Sequence, residues 1–107
     1  VGDVEGRNCL IVDDMCDTGG SLTRVSQALK EAGAARVDAC FTHPVLSGRA
    51  AQHLGSSGIE QIVVTNTVPL NSKAAELKNI KVLSIAPLLA KAIKSIHEET
   101  SVSSLFV

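Results

Sequence analysis

The run Leu10-Ile11-Val12-Asp13-Asp14-Met15-Cys16-Asp17-Thr18-Gly19-Gly20-Ser21 passes from an apolar stretch, through two carboxylates, into a glycine turn. A short apolar run bounded by turn residues reads as a buried strand. Beyond the turn, Leu22, Val25, Ala28, Leu29 and Ala32 recur at helical spacing up to Gly33, where a helix stop belongs. The turn therefore opens a helix. At such a start the first backbone N–H groups lack partners and the helix dipole adds about half a positive charge, so an anion is stabilised. Gly19 and Gly20 are expected to let the backbone approach a ligand and to reach positive φ, aiming N–H groups inward. Thr18 and Ser21 add hydroxyl donors. The pattern predicts a phosphate cradle that needs no cation.

Asp13 and Asp14 cannot favour an anion, so they must face something else. Carboxylate acceptors suit the vicinal hydroxyls of a sugar, and they also hold hydrated Mg²⁺ beside a diphosphate. Phosphate on the turn with hydroxyls on the acid pair describes a ribose 5-phosphate. Asp17 would repel that phosphate unless it caps the helix or orders the loop's own N–H groups, so its expected role is to shape the loop. The plain alternative is a pair of solvated acids followed by a capped turn. The full ordered string argues against it, and it is neither a Walker A loop nor a dinucleotide fingerprint.

Working outward, the apolar runs 9–12, 37–41, 62–64 and 82–85 read as strands. A weaker helix is expected over 47–54, a loop over 55–58, and a helix whose first turn holds Pro87 and whose apolar face is Leu88, Leu89, Ala92, Ile93 and Ile96. The order β, α, β, α, β, β, α argues for a parallel α/β sheet. Ligands of such sheets sit beyond the carboxyl ends of strands, here Asp13-Asp14, Thr42-His43 and Thr65-Asn66-Thr67. The last residues, 101–107, alternate apolar and hydroxyl side chains, which suits an edge strand or a docked tail.

The chain has 107 residues, 45% of them apolar, with 10 basic against 11 acidic side chains and two Phe as its only aromatics. That length fits one domain with an aliphatic core. The scattered Lys and Arg offer no footprint for nucleic acid, and no apolar run is long enough for a membrane span. Three cysteines, Cys9, Cys16 and Cys40, form neither a metal pair nor a disulfide framework, which points to a reduced, cytoplasmic setting with each thiol a small apolar filler. His43 reads as a hydrogen-bonded structural residue or a ligand contact. His53 and His97 read as surface residues, and no metal site is expected in this chain. Thr65-Asn66-Thr67 suits either a ligand contact or a cap. The opening Val1-Gly2-Asp3-Val4 reads as a connector into the first strand, so the chain is expected to be part of something longer.

The string Val12 to Ser21 resembles the phosphoribosyl diphosphate signature of type I phosphoribosyltransferases and ribose-phosphate pyrophosphokinases. The pyrophosphokinases are the nearer likeness, because Val12-Asp13-Asp14-Met15, Thr42-His43-Pro44 with Ser47-Gly48, residues 64–69 and the tail 101–106 are similar as well. The resemblance implies a phosphoribosyltransferase-like (type I) domain forming the C-terminal part of a two-domain enzyme, with residues 1–107 as a fragment of it. It implies diphosphate transfer from ATP to ribose 5-phosphate with Mg²⁺, giving phosphoribosyl diphosphate and AMP for nucleotide biosynthesis, in a homohexamer. Asp13, Asp14, Asp17, Thr18, Gly19, Gly20 and Ser21 match the ribose 5-phosphate site. Ser101, Ser103 and Phe106 match a regulatory site for phosphate or ADP. The ATP, metal and catalytic residues of the family lie outside the matched region, so the isolated chain is expected to be inactive. Two other readings stay open: a phosphoribosyltransferase using the same donor, and a non-catalytic regulatory homologue.

Overall fold

In the computed structural model, residues 2–106 are described; Val1 of the expected connector and Val107 of the expected tail lie outside the described residues. The elements run β1 (Asn8–Cys16), α1 (Gly20–Glu31), β2 (Arg36–Pro44), α2 (Ala50–Ser56), β3 (Ile62–Thr65), α3 (Ser72–Ala75), β4 (Ile80–Leu83) and α4 (Ala86–His97), then a 3-10 turn over Ser103–Phe106. All four strands are parallel and pair in the order β1-β2-β3-β4. This is the α/β parallel sheet that the alternation of elements predicts.

Side chains alternate across a strand, so the register assigns each residue to a face. Ile11 pairs with Ala39, Ala39 with Ile62 and Ile62 with Ile80, while Phe41 pairs with Val64. These residues share the face that meets Leu22 of α1, Ala50 and Leu54 of α2 and Ala74 of α3 in one apolar core. On the other face Val12 pairs with Cys40 and Cys40 with Val63. There Leu10 and Val12 are 61% and 70% exposed, so among the described residues nothing covers this face at β1.

Several expected bounds move for identifiable reasons. Pairing of β1 with β2 continues to Met15↔His43 and Cys16↔Pro44, so the acid pair lies inside the strand rather than beyond it. The buried stripe of α1 is Leu22 and Ser26, with Leu29 packed against the core, and Val25 is 46% exposed. Ser26 is tolerated there because its hydroxyl donates to the Ser57 carbonyl at 3.3 Å. Gly33 ends α1 as expected: its φ is +95°, and Ala34 N–H reaches back to the Leu29 carbonyl at 3.0 Å.

The weaker helix begins at Ala50 rather than at 47, and α3 was not anticipated. That single turn forms because the Asn71 side chain accepts from Ala74 N–H at 2.8 Å, a cap in a stretch with little apolar periodicity. Strand β4 ends at Leu83, before the expected limit of 85, where Ile85 N–H turns to the Asn66 side chain at 2.9 Å. Pro87 sits in the first turn of α4 as its fixed φ favours. The tail is a 3-10 turn against α4 and not a strand. Among the described residues no helix is long and apolar enough to cross a membrane.

Candidate functional site

Strand β1 delivers its chain to the carboxyl end of the sheet at Cys16, which is buried, and α1 starts four residues later at Gly20. The connection is short enough only because Gly19 adopts φ +81°, a left-handed conformation that a side chain would strain. It also lies close to α2: a Cβ at Gly19 would stand 3.4 Å from the His53 Cβ and 3.6 Å from the Ala50 carbonyl oxygen. Gly20 differs from the expectation. It does not have positive φ, being the first helical residue, and a Cβ there would meet only Thr18 Oγ1, at 3.9 Å.

No side chain caps the N-terminus of α1. Beside this helix start lies a cleft of about 250 Å³ lined by Asp13, Met15, Cys16, Asp17, Thr18, Gly19, Ser21, Leu22 and Phe41. Of the seven residues expected at a sugar-phosphate site, five line this cleft, and Asp14 and Gly20 do not. Asp14 is separated from Asp13 by strand alternation, which sends consecutive side chains to opposite faces. The two carboxylates thus do not converge, although Asp14 N–H donates to Asp13 Oδ1 at 2.8 Å.

Asp17 does not cap the helix. Its Oδ1 accepts a hydrogen bond from Ser47 Oγ in the loop after β2, which ties this wall of the cleft to that loop. The adjacent Leu46 is buried with φ +47°; its N–H donates to the Cys16 carbonyl at 3.0 Å and its own carbonyl accepts from Asn71 Nδ2 at 2.9 Å. Burial, then the Asp13 carboxylate, then that of Asp17 push the Cys16 thiol above its ordinary value, against a smaller opposing pull from the Gly19 backbone hydrogen bond. Cys16 is a buried apolar filler in this wall.

His53, read from sequence as a surface residue, is half-buried, and its Nδ1 lies 2.7 Å from the Thr18 carbonyl. A carbonyl only accepts, so Nδ1 carries the proton. Nothing in the sequence marks this residue, since it sits 35 positions from Thr18 and meets it only through the fold. His43 Nδ1 lies 2.8 Å from Thr67 Oγ1, the structural role weighed above. Thr65 and Thr67 hydroxyls both donate to the Thr42 carbonyl, at 2.7 and 3.1 Å, and Asn66 takes the Ile85 N–H, so this triplet knits strand ends together. Ser101 and Ser103 hydroxyls pair at 2.7 Å, and Phe106 is 69% exposed; all three lie in the tail and none lines the cleft. Among the described residues no three His, Cys, Asp or Glu side chains gather as a metal site.

A four-stranded parallel sheet with its first three helices packed on one face defines an α/β class of domain. The chain matches the family described as phosphoribosyl synthetase-associated domain over residues 1–107. It belongs to that family. It is 47% identical over 106 residues to a ribose-phosphate pyrophosphokinase of Marinomonas sp., covering 99% of this chain and 34% of that protein. A ribose-phosphate pyrophosphokinase of Pasteurella multocida is 48% identical over the same shares. The crystal structure of phosphoribosylpyrophosphate synthetase from Mycobacterium smegmatis superposes with a TM-score of 0.87 at 43% identity, covering 92% of this chain and 33% of that one. The chain thus spans about a third of the length of these relatives; the C-terminal position expected from the sequence is not among the things these shares show.

Proposed function

We propose that the cleft between β1 and α1 binds the ribose 5-phosphate of a ribose-phosphate pyrophosphokinase, of which this chain is a phosphoribosyltransferase-like (type I) part. One observation carries the reading: the Asp13 carboxylate, the Thr18 and Ser21 residues and the uncapped start of α1 share a single cleft. The N–H groups of the helix start suit the phosphate, and a carboxylate across the cleft suits sugar hydroxyls. Asp17, held by Ser47, orders the loop instead of opposing the ligand.

The reaction is diphosphate transfer from ATP to the 1-hydroxyl of ribose 5-phosphate. This chain's share is to bind and orient the acceptor; ATP and the catalytic groups fall to residues outside it. Mg²⁺ commonly keeps several waters and takes one or two carboxylates plus substrate phosphates. Asp13 is the carboxylate in position to serve it here. When bound, the ion would neutralise charge on the transferring diphosphate.

Calorimetric titration of the full-length polypeptide with ribose 5-phosphate, with ribose and inorganic phosphate as controls, tests the proposal. Binding of the joined ligand at least tenfold tighter than either control is expected, on the order of 1.4 kcal/mol or more. Equal affinity for ribose 5-phosphate and phosphate would reduce the cleft to a plain anion site and overturn the sugar reading.

A further inference from the structure

The peptide between Thr18 and Gly19 is the one most able to undo the cradle. In a turn with glycine at its third position, that peptide plane turns over at little cost, which interconverts the two common turn types. Because a trans peptide holds C=O and N–H on opposite sides, turning it over exchanges a donor for an acceptor on the cleft side. An anion would then meet a carbonyl oxygen.

Here the Thr18 carbonyl is directed to α2, onto His53 Nδ1 at 2.7 Å. The Gly19 N–H consequently faces the other way, away from α2, in a loop whose Cys16 and Gly19 both line the cleft. The imidazole is well fixed for this task. Its Cβ lies 3.4 Å from where a Gly19 Cβ would stand, an ordinary contact, and the Thr23 hydroxyl, 3.5 Å from the His53 carbonyl, donates to the Gly19 carbonyl at 2.8 Å, so α2 lies against the first turn of α1.

We propose that His53 is a positioning residue for the cradle, selecting the peptide orientation that presents N–H and withholds C=O. It does not touch the ligand. The identity of that ligand rests on the sugar-phosphate reading above, whereas the selection of the peptide orientation stands on the loop geometry alone. A ligand that needs one of two loop states loses apparent affinity in proportion to the fraction in the other state. Removing one such hydrogen bond is expected to weaken ribose 5-phosphate binding about three- to tenfold.

The test compares wild type, His53→Leu and His53→Asn in the full-length polypeptide. Asn is chosen because its side-chain N–H₂ lies near the place of Nδ1 and can restore the donor. Ribose 5-phosphate affinity by calorimetry and amide exchange of residues 17–22 without ligand are both measured. Weaker binding and faster exchange confined to the loop in His53→Leu, with both restored in His53→Asn, would support the inference. Faster exchange spread equally over β2 and β3 would mean that His53 acts on general stability and would overturn it, as would unchanged loop exchange. Should wild type fail to bind ribose 5-phosphate, the sugar reading falls, and the exchange comparison alone still decides for or against His53.

Discussion

Helices α1 and α4 each have 12 residues and an apolar stripe legible in the sequence, yet they end in opposite circumstances. The first buries Leu22 and Ser26 against the sheet. The second buries none of its residues, and Leu89, Ile93 and Ile96 stand 52%, 67% and 67% exposed. Periodicity thus reports that a helix has a face to cover, and it does not report whether the cover lies in the same chain. The site follows the first case. Its loop is gripped from α2 and from the loop after β2, so its geometry is set by packing completed among the described residues.

The contrast gives graded expectations for the 107-residue chain. Ile62 is fully buried at the centre of the sheet, so Ile62→Ala should cost about 2–5 kcal/mol in urea unfolding, or leave the chain unfolded. A smaller effect depends on pH. The folded state holds the Cys16 thiol above its ordinary 9.0, so the unfolded state loses that proton first as pH rises. The stabilisation is complete below about pH 9 and is lost as pH climbs through the folded value. Melting temperatures should fall more steeply between about pH 8 and pH 10.5 in wild type than in Cys16→Ala, and parallel slopes would contradict the assignment. Least of all, Ile93→Ser should change stability by less than about 0.5 kcal/mol. A loss above about 1 kcal/mol would show that the α4 face is covered in solution and would dissolve the contrast.

How far the sequence reached follows the same division. The four strands, the parallel sheet, the Gly33 stop and the glycine turn that opens α1 after β1 are readable, because each depends on local apolar runs and turn chemistry. The likeness of residues 12–21 to a phosphoribosyl diphosphate signature led to the right family. What local reading missed was set by pairing and contact at a distance. The extension of β1 to Cys16 needs β2 beside it, and that extension is what parts Asp14 from Asp13. The partner of Asp17 is Ser47, and that of the Thr18 carbonyl is His53, 30 and 35 positions away. Nor could spacing show that α3 forms on a single Asn71 cap.

The strand order carries one further consequence, a matter of handedness. Parallel connections are almost always right-handed, so a sheet whose strands follow chain order without reversal sends every crossover to the same side. α1, α2 and α3 all obey, and the bare flank at Leu10 and Val12 follows from that winding whatever side chains occupy it. Doubly wound sheets cover both flanks by reversing direction once, and they bind ligands at the reversal. In this chain the winding starts at β1, whose outer edge is unpaired among the described residues. A strand added there would wind the opposite way, and the point of reversal would fall beside the glycine loop.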